Sequence, residues 1–215
     1  ACVDFSEPEV LQLALSDIPV VTIDYIFNDR LAVVSDNAKG MEDLFTYIYQ
    51  MGHRRIAYIH GTDSAVTTNR LSSFYRTAEK LGVEIPDEYV MMTRYRDTKG
   101  AGEATEKLLD LRRPPTCIIY PDDFAAFGGI HVIRERGMSI PEDISIAGYD
   151  GIRLAKLTVP NLTTLCQDTQ HLGQYAAEKL IDLIEKPKTA MRNITIVQGK
   201  LYEGQTVLKL DGSRG

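Results

Sequence analysis

The chain has 215 residues, 44% hydrophobic and 25% charged, with 24 Lys and Arg against 30 Asp and Glu for a net charge of −6. This composition excludes a largely disordered chain, and the length supports one or two lobes whose core folds without disulfide or metal staples. An acidic chain has no overall electrostatic pull toward nucleic acid or an anionic membrane, and no apolar run approaches the ~20 residues of a transmembrane helix. The three cysteines, Cys2, Cys117 and Cys166, are odd in number and form no Cys-x-x-Cys, as expected in a reducing compartment and not in a zinc site. The start, Ala1-Cys2-Val3-Asp4-Phe5, is not that of a signal peptide. The short basic groups, His53-Arg54-Arg55 among them, read as solvated surface charge.

The predicted elements alternate. A β-branched run, Val20–Ile23, and a shorter one, Leu31–Val34, are followed by a helix from Asn37 to Met51. Its apolar residues Met41, Leu44, Phe45, Ile48 and Met51 recur on one face, and Gly52 ends it. A strand over Arg55–Ile59 precedes a helix from about Asn69 to Leu81, and a further helix runs from about Gly102 to Leu111 before Pro114-Pro115. The strand Thr116–Tyr120 leads into a helix over about Asp123–Arg136, and the strand Ile144–Ala147 follows. A last helix over Asp168–Ile184 turns Leu172, Ala176, Leu180, Leu183 and Ile184 inward. The strands are continuously apolar, as in a sheet covered on both faces, and the alternation predicts an α/β fold with parallel sheets.

In open α/β sheets ligands bind at the carboxyl ends of strands. Three such ends deliver an acid here: Asp24 after Val20–Ile23, Asp122 after Tyr120-Pro121, and Asp150 after Gly148-Tyr149. Carboxylates are acceptors, so together they suit a ligand rich in hydroxyl donors. Asp123 reads as the N-cap of the next helix and Asp63 as turn chemistry. Arg70 opens the predicted helix at 69 and could hold two adjacent hydroxyls or a carboxylate. Tyr25, Phe27, Phe74, Tyr95 and Tyr149 flank the same edges and could stack on a sugar or base. There is no phosphate loop, and Gly100-Ala101-Gly102 lacks a preceding apolar strand. There is no nucleophile elbow, and the four histidines lack metal-ligand spacing. No cofactor is expected.

Several ordered motifs carry a resemblance: Ser35-Asp36-Asn37, Gly52-His53-Arg54-Arg55-Ile56-Ala57-Tyr58-Ile59, Pro121-Asp122-Asp123-Phe124-Ala125-Ala126-Phe127-Gly128, Ile140-Pro141-Glu142-Asp143-Ile144-Ser145-Ile146-Ala147-Gly148-Tyr149-Asp150, Pro160-Asn161-Leu162-Thr163-Thr164 and Gln167. As a set over residues 18–200, they resemble the lactose-repressor/galactose-repressor (LacI/GalR) family of bacterial transcription regulators. The resemblance implies two Rossmann-like lobes with an effector cleft between them. One lobe would take residues 1–36 and 168–193, the other 37–167 and 194–215, with crossings near Asp36, Gln167 and Asn193. It places effector contacts at Asp24, Arg70, Asp122, Asp150, Gln167 and Phe74. The sequence departs from the family at Ser73 (usually Gly), at Asp122 (commonly Asn) and at Gly151 (often Asp).

The family begins with a helix-turn-helix headpiece and the opening of the first lobe, which this sequence enters late. The expectation is therefore the effector-binding and dimerisation region of a cytoplasmic regulator with an incomplete first lobe. Its effector would be a sugar, its partner a second copy, and operator DNA would be reached through a headpiece absent from the chain, with no membrane partner and no catalysis. A transporter's sugar-binding protein, or a glycosidase working through two of the three aspartates, are the alternatives.

Overall fold

The structure is a computed structural model that describes residues 12, 18–26, 31–187 and 193–211; Cys2 and Phe27 lie outside them. The chain divides into two compact units. One holds the described residues up to Asp36 together with Asp168–Gln198, and the other holds Asn37–Gln167 and Gly199 onward.

In the first unit β1 (Thr22–Ile23), β2 (Ala32–Ser35) and β8 (Ile194–Val197) form a parallel sheet in the order β1-β2-β8. Because β8 pairs with β2, the third change of unit falls after Gln198, not near Asn193 as expected. Helix α5 (Thr169–Glu185) starts at Asp168, whose side chain accepts the His171 N–H, and packs Leu172 and Ala176 against Val33 and Val197. Ile184, expected to face inward, is 60% exposed. The residues that the helix buries, Leu172 and Ala176, both lie in its first half.

The second unit is built on a six-stranded sheet: β4 (Val90–Met92), β3 (Ile56–His60), β5 (Cys117–Ile119), β6 (Ser145–Asp150), β7 (Thr163–Cys166) and β9 (Lys200–Tyr202), in that order. All neighbours are parallel except β7 and β9. The strands are apolar throughout because both faces are covered. Ile56, Tyr58, Cys117, Ile119, Ala147 and Tyr149 pack with α1 (Asn37–Gln50) and α2 (Ala65–Lys80). The alternate residues Ala57, Ile59, Ile118, Tyr120 and Ile146 pack with α3 (Thr98–Leu109) and α4 (Asp123–Glu135). Helices α3 and α4 approach closely at Gly128, where a Cβ would overlap the Thr98 carbonyl oxygen.

Two helices begin earlier than their sequence suggested. α2 starts at Ala65, capped by the Ser64 side chain, and α3 at Thr98, capped by Asp97. Their first turns hold β-branched Val66-Thr67-Thr68 and the glycines 100 and 102, all poor helix formers, so capping and packing decide where the helices begin. His53 is no surface residue. It is 1% exposed, with Nδ1 2.9 Å from the Thr116 hydroxyl and Nε2 3.0 Å from the Leu208 carbonyl oxygen. The carbonyl can only accept, so the proton sits on Nε2 and Nδ1 accepts from Thr116. Burial is the main cause that holds this imidazole down at about 4, and Arg54 and Arg55 add to it against the Leu208 bond.

Candidate functional site

The strand order of the second unit reverses between β3 and β5: the chain leaves β3 for β4 on one side and returns to β5 on the other. The carboxyl ends of strands at such a reversal are where doubly wound sheets hold ligands. Arg70 lies there, one turn into α2 and not at its start, and is 2% exposed. Its Nε donates to Asn37 Oδ1 at 2.8 Å and its Nη1 to the Pro121 carbonyl, just past β5, at 2.9 Å. The guanidinium carbon sits 3.5 Å from the centre of the Tyr149 ring, a cation–π contact. Nη2 faces Asp150 Oδ1 at 4.0 Å. This is an ion pair too long for a direct hydrogen bond.

Asp150 ends β6 with a left-handed φ of 105°, followed by Gly151 at 72°. A non-glycine residue holds such a backbone only where its surroundings impose it. Its Oδ1 accepts from Gln167 Nε2 at 2.7 Å, and its carbonyl accepts the Gln167 N–H at 3.0 Å. Burial raises the Asp150 carboxyl to about 6. Arg70 pulls it down, Asp122 pushes it up and the Gln167 bond lowers it. For Arg70, burial works against the charge, but the aromatic side chains of Tyr149, Tyr58 and Tyr95 together with Asp150 leave its pKa above the ordinary value.

Asp122, not Asp123, is the N-cap of α4. Its Oδ1 accepts the Ala125 N–H at 2.8 Å, and its Oδ2 accepts the Arg96 N–H at 2.7 Å. These two bonds tie the 93–97 loop to the head of α4, and the side chain is 2% exposed. Arg96, held by that bond, has a left-handed φ of 60°. Asp123, one residue on, is fully buried and accepts from Thr164 Oγ1 at 2.6 Å and from the Ile152 N–H at 2.8 Å. Burial pushes its carboxyl up to about 7 against those bonds, and Asp150 adds to the rise.

The second unit thus brings Arg70, Asp122, Asp150 and Gln167 to one sheet edge. Phe74 lies in the core beneath, edge-on to Phe45 at 5.2 Å and fully buried. Asp24 belongs to the first unit, at the end of β1, where its carboxylate accepts from the Ser35 N–H at 2.6 Å and the Ser35 hydroxyl at 3.2 Å. Sequence reasoning did not assign Asn37 a role, although Ser35-Asp36-Asn37 stood among the ordered motifs. It also missed Asp123, whose chemistry was hidden by reading the first of two possible caps wrongly. Among the described residues no cluster of His, Cys, Asp or Glu could hold a metal, and no helix is long and apolar enough to cross a membrane.

Residues 45–207 match the family described as periplasmic binding protein-like domain. The chain is 28% identical over 194 residues to the probable HTH-type transcriptional repressor ExuR of Bacillus subtilis (strain 168), covering 89% of the chain and 58% of that protein. It is 29% identical over 189 residues to the ribose operon repressor of Haemophilus influenzae, covering 86% of the chain and 56% of that protein. The chain therefore spans less than three fifths of the length of these curated relatives, which are repressors by name. Among solved structures, a LacI family transcriptional regulator from Enterococcus faecium with bound ribose superimposes with a TM-score of 0.86 at 25% identity, over 96% of this chain and 77% of that one.

Proposed function

We propose, from the premise that this chain belongs to the periplasmic-binding-protein-like family in its LacI/GalR form, that it is the effector-binding region of a transcriptional repressor and that its effector is a sugar. The observation that carries this reading is the Arg70–Asp150 pair: a donor and an acceptor 4.0 Å apart at the edge where the strand order reverses. A sugar hydroxyl both accepts and donates, so one hydroxyl can take a hydrogen bond from Nη2 and give one to Oδ1. Gln167, Asn37 and the Pro121 carbonyl fix the two partners in direction, which lowers the ordering cost of binding. Asp122 supports the same edge through the 93–97 loop. The ribose bound by the Enterococcus faecium neighbour belongs to the same ligand class.

In the repressor the two units respond to the effector, and operator DNA is contacted through a headpiece outside these 215 residues. Linkage then requires effector and operator to change each other's affinity by one and the same factor. The protein works in the cytoplasm as a homodimer, binds without turnover and needs no cofactor. Leu154, Leu157 and Val159, at 48%, 75% and 84% exposure, form the apolar surface that a second copy covers.

Isothermal titration against a panel of aldoses including D-ribose, with a purine and a chromogenic glycoside as controls, tests the reading. One sugar binds the wild-type chain. Asp150→Ala weakens it about tenfold or more, since a charge-assisted hydrogen bond contributes ~1.5–3 kcal/mol. Purine binding with no sugar response, wild-type affinity in Asp150→Ala, or turnover of the glycoside would each overturn it.

A further inference from the structure

Asp150 owes its aim to something other than its own preference. Its φ of 105° and that of Gly151, 72°, turn the chain sharply at the end of β6. The next backbone N–H, that of Ile152, is held by Asp123 Oδ2 at 2.8 Å. Asp123 Oδ1 also accepts the Thr164 hydroxyl at 2.6 Å, and the Thr164 oxygen in turn accepts the Gly151 N–H at 3.3 Å. The seat is built to fit: a Cβ at Gly148 would overlap Asp123 Oδ1, and one at Gly151 would overlap the Cys166 side chain. Asp123 is fully buried and touches no surface, so it acts only through what it holds.

We infer that Asp123 is a positioning residue: by gripping the Gly151–Ile152 turn it keeps Asp150 in the left-handed conformation that points its carboxylate at Arg70. The inference rests on the reading of Arg70 and Asp150 as the effector site, but its first test needs no effector. A methyl at 123 offers no acceptor, so Asp123→Ala releases both the Ile152 N–H and the Thr164 hydroxyl, whereas an amide could keep both by accepting from Ile152 and donating to the Thr164 oxygen.

The three-bond HN–Hα coupling of Asp150 in the isotope-labelled chain reports its φ. It is small in the wild type and becomes large in Asp123→Ala as Asp150 relaxes to extended backbone. It moves the same way, by less, in Thr164→Val, and stays at the wild-type value in Thr164→Ser. A second readout is affinity for D-ribose: Asp123→Ala weakens it about tenfold, and the loss disappears in an Asp150→Ala background, as coupled neighbours require. A purely structural role would lower the melting temperature and leave the Asp150 coupling unmoved, and that result overturns the inference. If Asp123→Ala does not fold, an unchanged coupling in Thr164→Val does the same. Failure of the wild type to bind any aldose of the panel would count against the effector reading, while the coupling still decides the role of Asp123.

Discussion

Replacing Arg70 by Met tests how the buried charge pair is held. The side chain is 2% exposed and gives hydrogen bonds to Asn37 and Pro121 at 2.8 and 2.9 Å, with Tyr149 beneath and Asp150 at 4.0 Å. Removing one member of a buried pair costs ~3–5 kcal/mol, chiefly because the other is left uncompensated. Asp150 retains a third of its side-chain exposure and can escape by taking a proton, which places the expected cost at the lower end, about 3 kcal/mol. Arg70 is the largest of the influences that lower the Asp150 carboxyl, which burial raises to about 6, so without it the carboxyl rises further. A raised carboxyl contributes stability that is present at low pH and lost as pH climbs through its folded value. The cost of Arg70→Met is therefore larger at pH 8 than at pH 5, and Asp150→Asn in the same chain recovers at least half of it at pH 8. Urea unfolding of the two single variants and the double variant at both pH values measures this. An equal cost at both pH values, with no recovery in the double variant, would refute the charge-pair argument.

Two further outcomes are expected. With its folded value depressed to about 4, His53 contributes stability that is complete above its ordinary 6.5 and lost as pH falls through about 4, up to about 3 kcal/mol. Asp150 and Asp123, raised to about 6 and about 7, have the opposite sign, so the comparison is with His53→Gln: its urea midpoint falls less than the wild type's between pH 6.5 and 4.5, and parallel curves would dismiss the buried neutral imidazole. Leu157→Asp converts a dimer to a monomer in sedimentation and removes the concentration dependence of the melting temperature, because the side chain is 75% exposed in the single chain and buried only by a partner; a wild type that sediments as a monomer at micromolar concentration speaks against the second copy.

The strands and the α1 face were legible because local pattern and burial agree there: Met41, Leu44, Phe45 and Ile48 recur at helical spacing and all are buried. The acids at the ends of β5 and β6 were legible for the same reason, since a strand's end is marked by where its apolar run stops. Three things were not. The starts of α2 and α3 depend on the caps Ser64 and Asp97 overriding poor helix formers. Of the adjacent aspartates 122 and 123, either could cap a helix by composition, and only the placement of Arg96 on one side and of Ile152 and Thr164 on the other assigns them. His53 looked like surface beside two arginines, yet residues 116 and 208, far away in sequence, enclose it. By itself the sequence determined the alternation of elements, the apolar faces and the family. The tertiary structure alone decided which polar side chains face one another, because their partners lie 30 or more residues away for Arg70–Asn37 and Asp123–Thr164, and no local preference encodes such a meeting.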